Sequence, residues 1–172
     1  LAYDTVKQKM EKPSSIFKYI YQKDLKFNPL YIWDKYEKYK ETLKKKDYVD
    51  ILLTAYENPE FLPYVQNLII DEAQDLTPLM WSIIDKWPAE RKIVAGDDDQ
   101  SIRDFNGAEA RLLLERKNNA TVIHLKETFR LPENILNLSQ QWIKFVKERE
   151  DKEIVTRIPG GIIKTYNNFY TF

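Results

Sequence analysis

Leu68-Ile69-Ile70-Asp71-Glu72-Ala73-Gln74-Asp75 is the stretch on which the fold of this chain turns. A short apolar run ends at Ile70 and hands two adjacent acids to the loop that follows. Apolar, β-branched residues bounded by polar ones make the pattern of a strand buried in a parallel sheet, and ligands of such sheets bind beyond the strands' C-terminal ends. Two carboxylates at that position can divide the labour of hydrolysis. One holds a divalent cation, usually through water, while its neighbour orients and deprotonates the attacking water. An Asp-Glu pair also makes an ordinary acidic turn, so the surrounding chain has to decide between the two.

The pattern returns downstream. Ile93-Val94-Ala95 runs into Gly96-Asp97-Asp98-Asp99-Gln100-Ser101-Ile102. Three successive carboxylates repel one another unless they are solvated, paired with cations or near a metal. Successive residues point in different directions, which disfavours a direct three-aspartate metal site. The Gln100 amide is neutral and can both donate and accept, so it can contact a phosphate oxygen and a water together. Phe105, in Asp104-Phe105-Asn106-Gly107-Ala108, offers either a ring for a base to stack on or an anchor for its loop. Arg130 follows a third apolar run, Thr121–Leu125, and as a strand-end residue would face the same crevice as Asp71 and Gln100. A guanidinium there can stabilise charge on a transferring phosphoryl group or simply pair with an acid. His124 lies inside that run and reads as a core residue.

Working outward, residues 67–70, 92–95, 121–125 and 162–166 are expected strands. Helices are expected between them. One begins at Thr77-Pro78, with Thr as N-cap and Pro in the first turn, and packs through Leu79, Ile83 and Trp87. Another follows Gly107 and uses Leu112 and Leu113. A third follows Pro132 with Ile135, Leu138, Trp142, Phe145 and Val146 on one face. Residues 1–62 read as helical: Ile32, Tyr36, Tyr39 and Leu43 recur at helical spacing, with Lys35, Lys38, Lys40, Lys44, Lys45 and Lys46 placed mostly on the opposite side. A second helix there covers Val49 to Tyr56. Strands alternating with helices give an α/β fold with a partial parallel sheet flanked by helices, preceded by a mainly helical subdomain.

The 172 residues carry no net charge, but the charge is segregated. Residues 1–46 hold twelve lysines against six acids, and residues 71–109 hold ten acids against four bases. That division suits a polyanion on one surface and a metal cation on another, or a solvated lysine-rich helix. With no cysteine, disulfides and thiolate zinc sites are excluded. No apolar stretch has the roughly 18 residues of a membrane span, and no signal-peptide pattern opens the chain, so a soluble, intracellular protein is expected. The chain begins at Leu1, not Met, which is expected of a fragment or a processed chain.

In order and spacing these segments resemble the UvrD/Rep/PcrA-like superfamily 1 DNA helicases. Ile70 to Asp75 matches the family's motif II, the Walker B equivalent. Ala95 to Ile102, continued by Phe105 and Gly107-Ala108, is similar to motif III. Leu125 to Arg130 is similar to motif IV, with Thr128-Phe129-Arg130 in place of Asn-Tyr-Arg. Tyr48-Val49-Asp50-Ile51-Leu52-Leu53 resembles the segment that precedes motif II.

The resemblance implies ATP and Mg²⁺ as cofactors, with Asp71 serving Mg²⁺ through water and Glu72 as catalytic base. It makes Gln100 the γ-phosphate sensor and Arg130 an arginine finger, and both nucleotide contacts. It assigns single-stranded DNA to the loop of Phe105, Arg103 and Asn106, although Arg103 stands where the family has Tyr and Asn106 where it has Arg. Residues 1–62 would form the inserted, duplex-contacting subdomain (1B-like), 63–154 the C-terminal part of the RecA-like motor domain 1A, and 155–172 the start of the second motor domain.

The phosphate loop G-x-x-x-x-G-K-[ST] is absent from these residues, whose glycines are 96, 107, 160 and 161. The expected function is therefore part of an ATP-dependent DNA helicase that moves on single-stranded DNA and separates strands. It would be inactive alone and need the Walker A segment and second motor domain as partners. An incomplete sheet also exposes apolar edges, so self-association is expected. The alternatives are a motor-dead DNA-binding or scaffold module, and a metal-dependent nuclease built on Asp97–Asp99.

Overall fold

The computed structural model describes residues 2–20, 27–102, 106–147 and 149–165. The chain forms two compact units, Leu1–Arg116 and Lys117–Phe172.

In the first unit, helices α1 (Ala2–Gln8), α2 (Pro29–Leu43) and α3 (Tyr48–Glu57) precede strand β1 (Val65–Ile70). Helix α4 (Pro78–Lys86), strand β2 (Ala89–Val94) and helix α5 (Ala110–Arg116) follow. The two strands pair in parallel with Ile70 opposite Val94, so both chains leave the sheet at the same end. The α4 crossover between them begins as its sequence predicts: Thr77 caps it by accepting from the Met80 N–H, and Pro78 takes the first turn, where it loses no helical bond.

Helix α4 is apolar on two sides and joins two small cores. Leu79 and Ile83 pack with Val49 and the half-buried Leu52, Leu53 and Trp87. Trp81 packs with Ile70 and Ala73, backed by Leu68 and by Leu112 and Leu113 of α5. The Arg116 guanidinium lies 3.9 Å from the Trp81 ring centroid while bonding Asp85 at 2.6 Å, which seals that core from the solvent side.

Helix α2 does not bury the stripe expected of it. Ile32, Tyr36, Tyr39 and Leu43 are exposed, and the side chain turned inward is Lys40, 6% exposed. The cause lies in the next helix. Asp47 and Asp50 form a capping box at the start of α3, each side chain accepting from the other's backbone N–H. The Lys40 ammonium bonds both carboxylates, at 2.9 and 2.6 Å, and also Glu37 and the Tyr3 hydroxyl. Lys7 of α1 adds a second ammonium, 2.5 Å from Asp50 and 3.2 Å from Glu37. One polar cluster thus ties α1, α2 and α3 together.

The second unit holds strand β3 (Glu127–Thr128), helix α6 (Glu133–Ile143) and strand β4 (Val155–Thr156), with β3 and β4 parallel. The first N–H groups of α6 lack a side-chain cap. They donate instead to the carbonyls of Ile158 and Gly160, which fixes the following segment against the helix start.

Several expectations fail in this unit. Residues 121–125 form no strand, and their apolar side chains Val122, Ile123 and Leu125 are exposed. Pairing begins one residue later, where the Val155 N–H donates to the Lys126 carbonyl. Residues 162–165 are likewise irregular, and Tyr166 lies outside the described residues. His124 is not a core residue: its side chain is 43% exposed and its Nε2 stands 3.7 Å from Glu150. On α6 the buried residue is Leu136, whereas Trp142 and Phe145 are exposed and Phe145 and Val146 lie beyond the helix end.

The Lys40 cluster sets two expectations for stability. Replacing Lys40 by Met strands three acids around an apolar stem, which should cost about 3 kcal/mol in a urea melt, the low end for a broken buried pair because Lys7 remains. Burial opposes the Asp50 charge, but the Lys40 and Lys7 ammoniums prevail and hold its carboxyl down at about 2. A folded value below the unfolded one stabilises above the unfolded value, so this contribution should be complete above about pH 4 and drain away as the pH falls toward 2. A urea-melt series across that range measures it.

Candidate functional site

The parallel register decides the site. Because Ile70 and Val94 lie opposite each other, the acidic loops that follow them emerge side by side. Ladder bonds continue past the strand ends: the Ala95 N–H donates to the Ile70 carbonyl at 2.8 Å, and the Ala73 N–H to the Ala95 carbonyl at 3.0 Å. To return Ala73 to its neighbour, the chain turns sharply at Glu72, which adopts a left-handed backbone with φ 51° and ψ 43°. That region is costly for a side chain other than glycine, and such strain gathers at functional sites.

Asp71 and Glu72 are both exposed at the strand end. Asp71 Oδ1 accepts the Glu72 N–H at 2.9 Å, which fixes the carboxylate beside its own loop. Glu72 Oε2 accepts from Gln74 Nε2 at 2.7 Å. Gln74 is buried, and its other end, Oε1, accepts the Asp97 N–H at 2.9 Å. Asp97 in turn accepts from the Asp99 N–H at 3.2 Å and from Gln100 Nε2 at 2.6 Å. Glu72 and Gln100, both exposed, are therefore joined through Gln74 and Asp97. Asp98 is buried, and among the described residues no three acids converge on a cation site.

The close approach of the loops depends on Gly96. A Cβ there would lie 2.9 Å from Leu113 Cδ2, 3.0 Å from Gln74 Oε1 and 3.2 Å from the Ala73 nitrogen.

Of the other expected site residues, Asn106 is half-buried, and Arg103 and Phe105 lie outside the described residues. Arg130 belongs to the second unit, where it is exposed and its N–H donates to Thr128 Oγ1 at 3.3 Å. Residues 121–125 are irregular, and the strand that Arg130 follows is the two-residue β3, Glu127–Thr128. Sequence reasoning assigned no role to Gln74. The signal was there: a neutral carboxamide inside an acidic loop has the same two-sided capacity argued for Gln100.

Residues 2–121 match the UvrD/REP helicase N-terminal domain. The chain belongs to the UvrD/REP helicase family. Among curated relatives it is similar to the ATP-dependent DNA helicase PcrA of Staphylococcus epidermidis, 31% identical over 142 residues, which cover 73% of this chain and 20% of PcrA. A probable DNA helicase II homolog of Mycoplasma capricolum is 32% identical over 142 residues, with the same coverage of 73% and 20%. UvrD2 of Mycobacterium tuberculosis, an ATP-dependent DNA helicase, is 32% identical over 116 residues, 60% of this chain and 17% of UvrD2. The chain thus spans about a fifth of the length of the relatives it matches. No helix among the described residues of this UvrD/REP family member is long and apolar enough to cross a membrane.

Gly96→Ala should force the two loops apart. Its Cβ meets backbone as well as side chains, so a loss of about 1–3 kcal/mol is expected in a denaturant melt, the usual cost of overpacking.

Proposed function

We propose that this chain supplies the water-activating part of an ATP-hydrolysing site in a DNA helicase that moves on single-stranded DNA. The observation that carries the reading is the linkage of Glu72 to Gln100 across two loops held at one end of a parallel strand pair.

Asp71 fits a Mg²⁺ role by its chemistry. It is an exposed, hard oxygen donor, and magnesium in nucleotide sites keeps several waters and takes only one or two carboxylates. Bound Mg-ATP supplies the electrophilic phosphorus and the charge that must be neutralised. Glu72, with Oε2 held by Gln74, takes the proton of the attacking water on Oε1. Gln100 orients that water and reads the terminal phosphate. Arg130 takes the arginine-finger role and Asp71 the water-mediated metal contact.

The wider assignments follow from the same reading. The motor is RecA-like. Residues 1–62 form the inserted subdomain that meets duplex DNA, 63–154 the later part of the first motor domain, and 155–172 the start of the second. Single-stranded DNA lies on the loop of Arg103, Phe105 and Asn106. The Walker A segment and second motor domain complete the site, so the 172-residue chain alone does not turn over ATP. Exposed apolar residues of the sheet, Ile69 and Ile93 among them, favour self-association of the isolated chain. The protein works in the cytoplasm, on DNA.

In the full-length protein, Glu72→Gln should lower DNA-stimulated ATPase kcat by about a hundredfold or more while leaving the KM for ATP nearly unchanged, the usual share of a general base. A variant that kept wild-type turnover would remove Glu72 from the reaction. The isolated chain should show no steady-state ATPase. Turnover by the pure chain that vanished with Glu72→Gln would refute that part.

A further inference from the structure

Gln74 is among the most deeply buried side chains of the first unit, 2% exposed, yet it is polar and lies between two acidic loops. Its carboxamide is used at both ends. Nε2 donates to Glu72 Oε2 at 2.7 Å, and Oε1 accepts from the Asp97 N–H at 2.9 Å. The reverse orientation would set oxygen against carboxylate and amide against amide, so the two partners fix which end faces which. No charged side chain can replace it: a carboxylate accepts only, and an ammonium donates only. Asparagine is one methylene shorter. The room for Gln74 Oε1 comes from Gly96, where a Cβ would stand 3.0 Å away. Beyond Asp97 the chain of bonds ends on Gln100 Nε2 at 2.6 Å.

We propose that Gln74 is a positioning residue of the hydrolytic site: it orients the Glu72 carboxylate and ties that orientation to the loop bearing Gln100. A shift of the Asp97–Gln100 loop then pulls on Glu72 through one buried side chain bonded at both ends. The inference rests on the assignment of Glu72 as the base.

The test uses the full-length protein with single-stranded DNA and ATP. Gln74→Glu keeps the acceptor for Asp97 and fills the same space but loses the donor to Glu72. Gln74→Met loses both. Rates are referred to the fraction of protein that binds ATP, so a variant that folds only in part still reports. Both variants should lose kcat by about ten- to a hundredfold, the effect of a misplaced reacting group, with the KM for ATP changed by less than about twofold. Glu72→Gln combined with Gln74→Met should be no slower than Glu72→Gln alone, because a positioning residue has nothing left to position.

Wild-type kcat in Gln74→Glu would overturn the proposal, since the Asp97 bond alone would then suffice. So would a loss that multiplies in full with that of Glu72→Gln, or one that falls on KM instead of kcat, because either is what a merely structural glutamine gives. Full activity of Glu72→Gln would strike at the base assignment itself, whatever Gln74 does.

Discussion

The parallel pairing of Val65–Ile70 with Ala89–Val94 governs the rest of the first unit. A parallel pair must send both chains out of the sheet at the same end, so two loops far apart in sequence begin as neighbours. The α4 crossover can connect the strands only by lying against them, which buries Trp81 on Ile70 and Ala73 and leaves Leu79 and Ile83 for α3. A slip of one residue in the register would turn Ile70 out of its core and carry Asp71 with it. The site thus inherits its precision from the packing of six-residue strands, not from the acids themselves.

What could be read in the sequence was what local chemistry decides. Thr77-Pro78 starts a helix because a hydroxyl can satisfy a first-turn N–H and proline has none to lose. Asp71 and Glu72 end a strand because the β-branched run stops at Ile70. The segments that misled depend on partners distant in sequence. Residues 121–125 have the composition of a strand, but a strand exists only where another supplies its hydrogen bonds, and here that begins at Lys126. The stripe on α2 has a helical period, yet periodicity does not say which face is covered. The capping acids of α3 draw Lys40 inward, because an ammonium among three carboxylates is better placed there than a tyrosine. Gln74 escaped for a related reason: its importance lies in joining two loops, and no single loop displays it.

The polar clusters of the first unit divide the work. The one around Lys40 binds helices to each other with charge and is sensitive to acid. The one around Gln74 joins two loops through a neutral amide that keeps its donors and acceptors at any ordinary pH. A site whose geometry must persist while charged groups come and go is well served by a neutral connector.

The left-handed backbone at Glu72 sets folding against chemistry at one position. Conformation alone would favour glycine there, since any side chain in that region costs about 1 kcal/mol. A lineage that no longer needed the carboxylate would gain stability by giving it up, and glycine or asparagine would be the residues to arrive. Position 72 is therefore a place where side chain and backbone disagree: the acid there is held against the preference of the backbone, at a cost in stability.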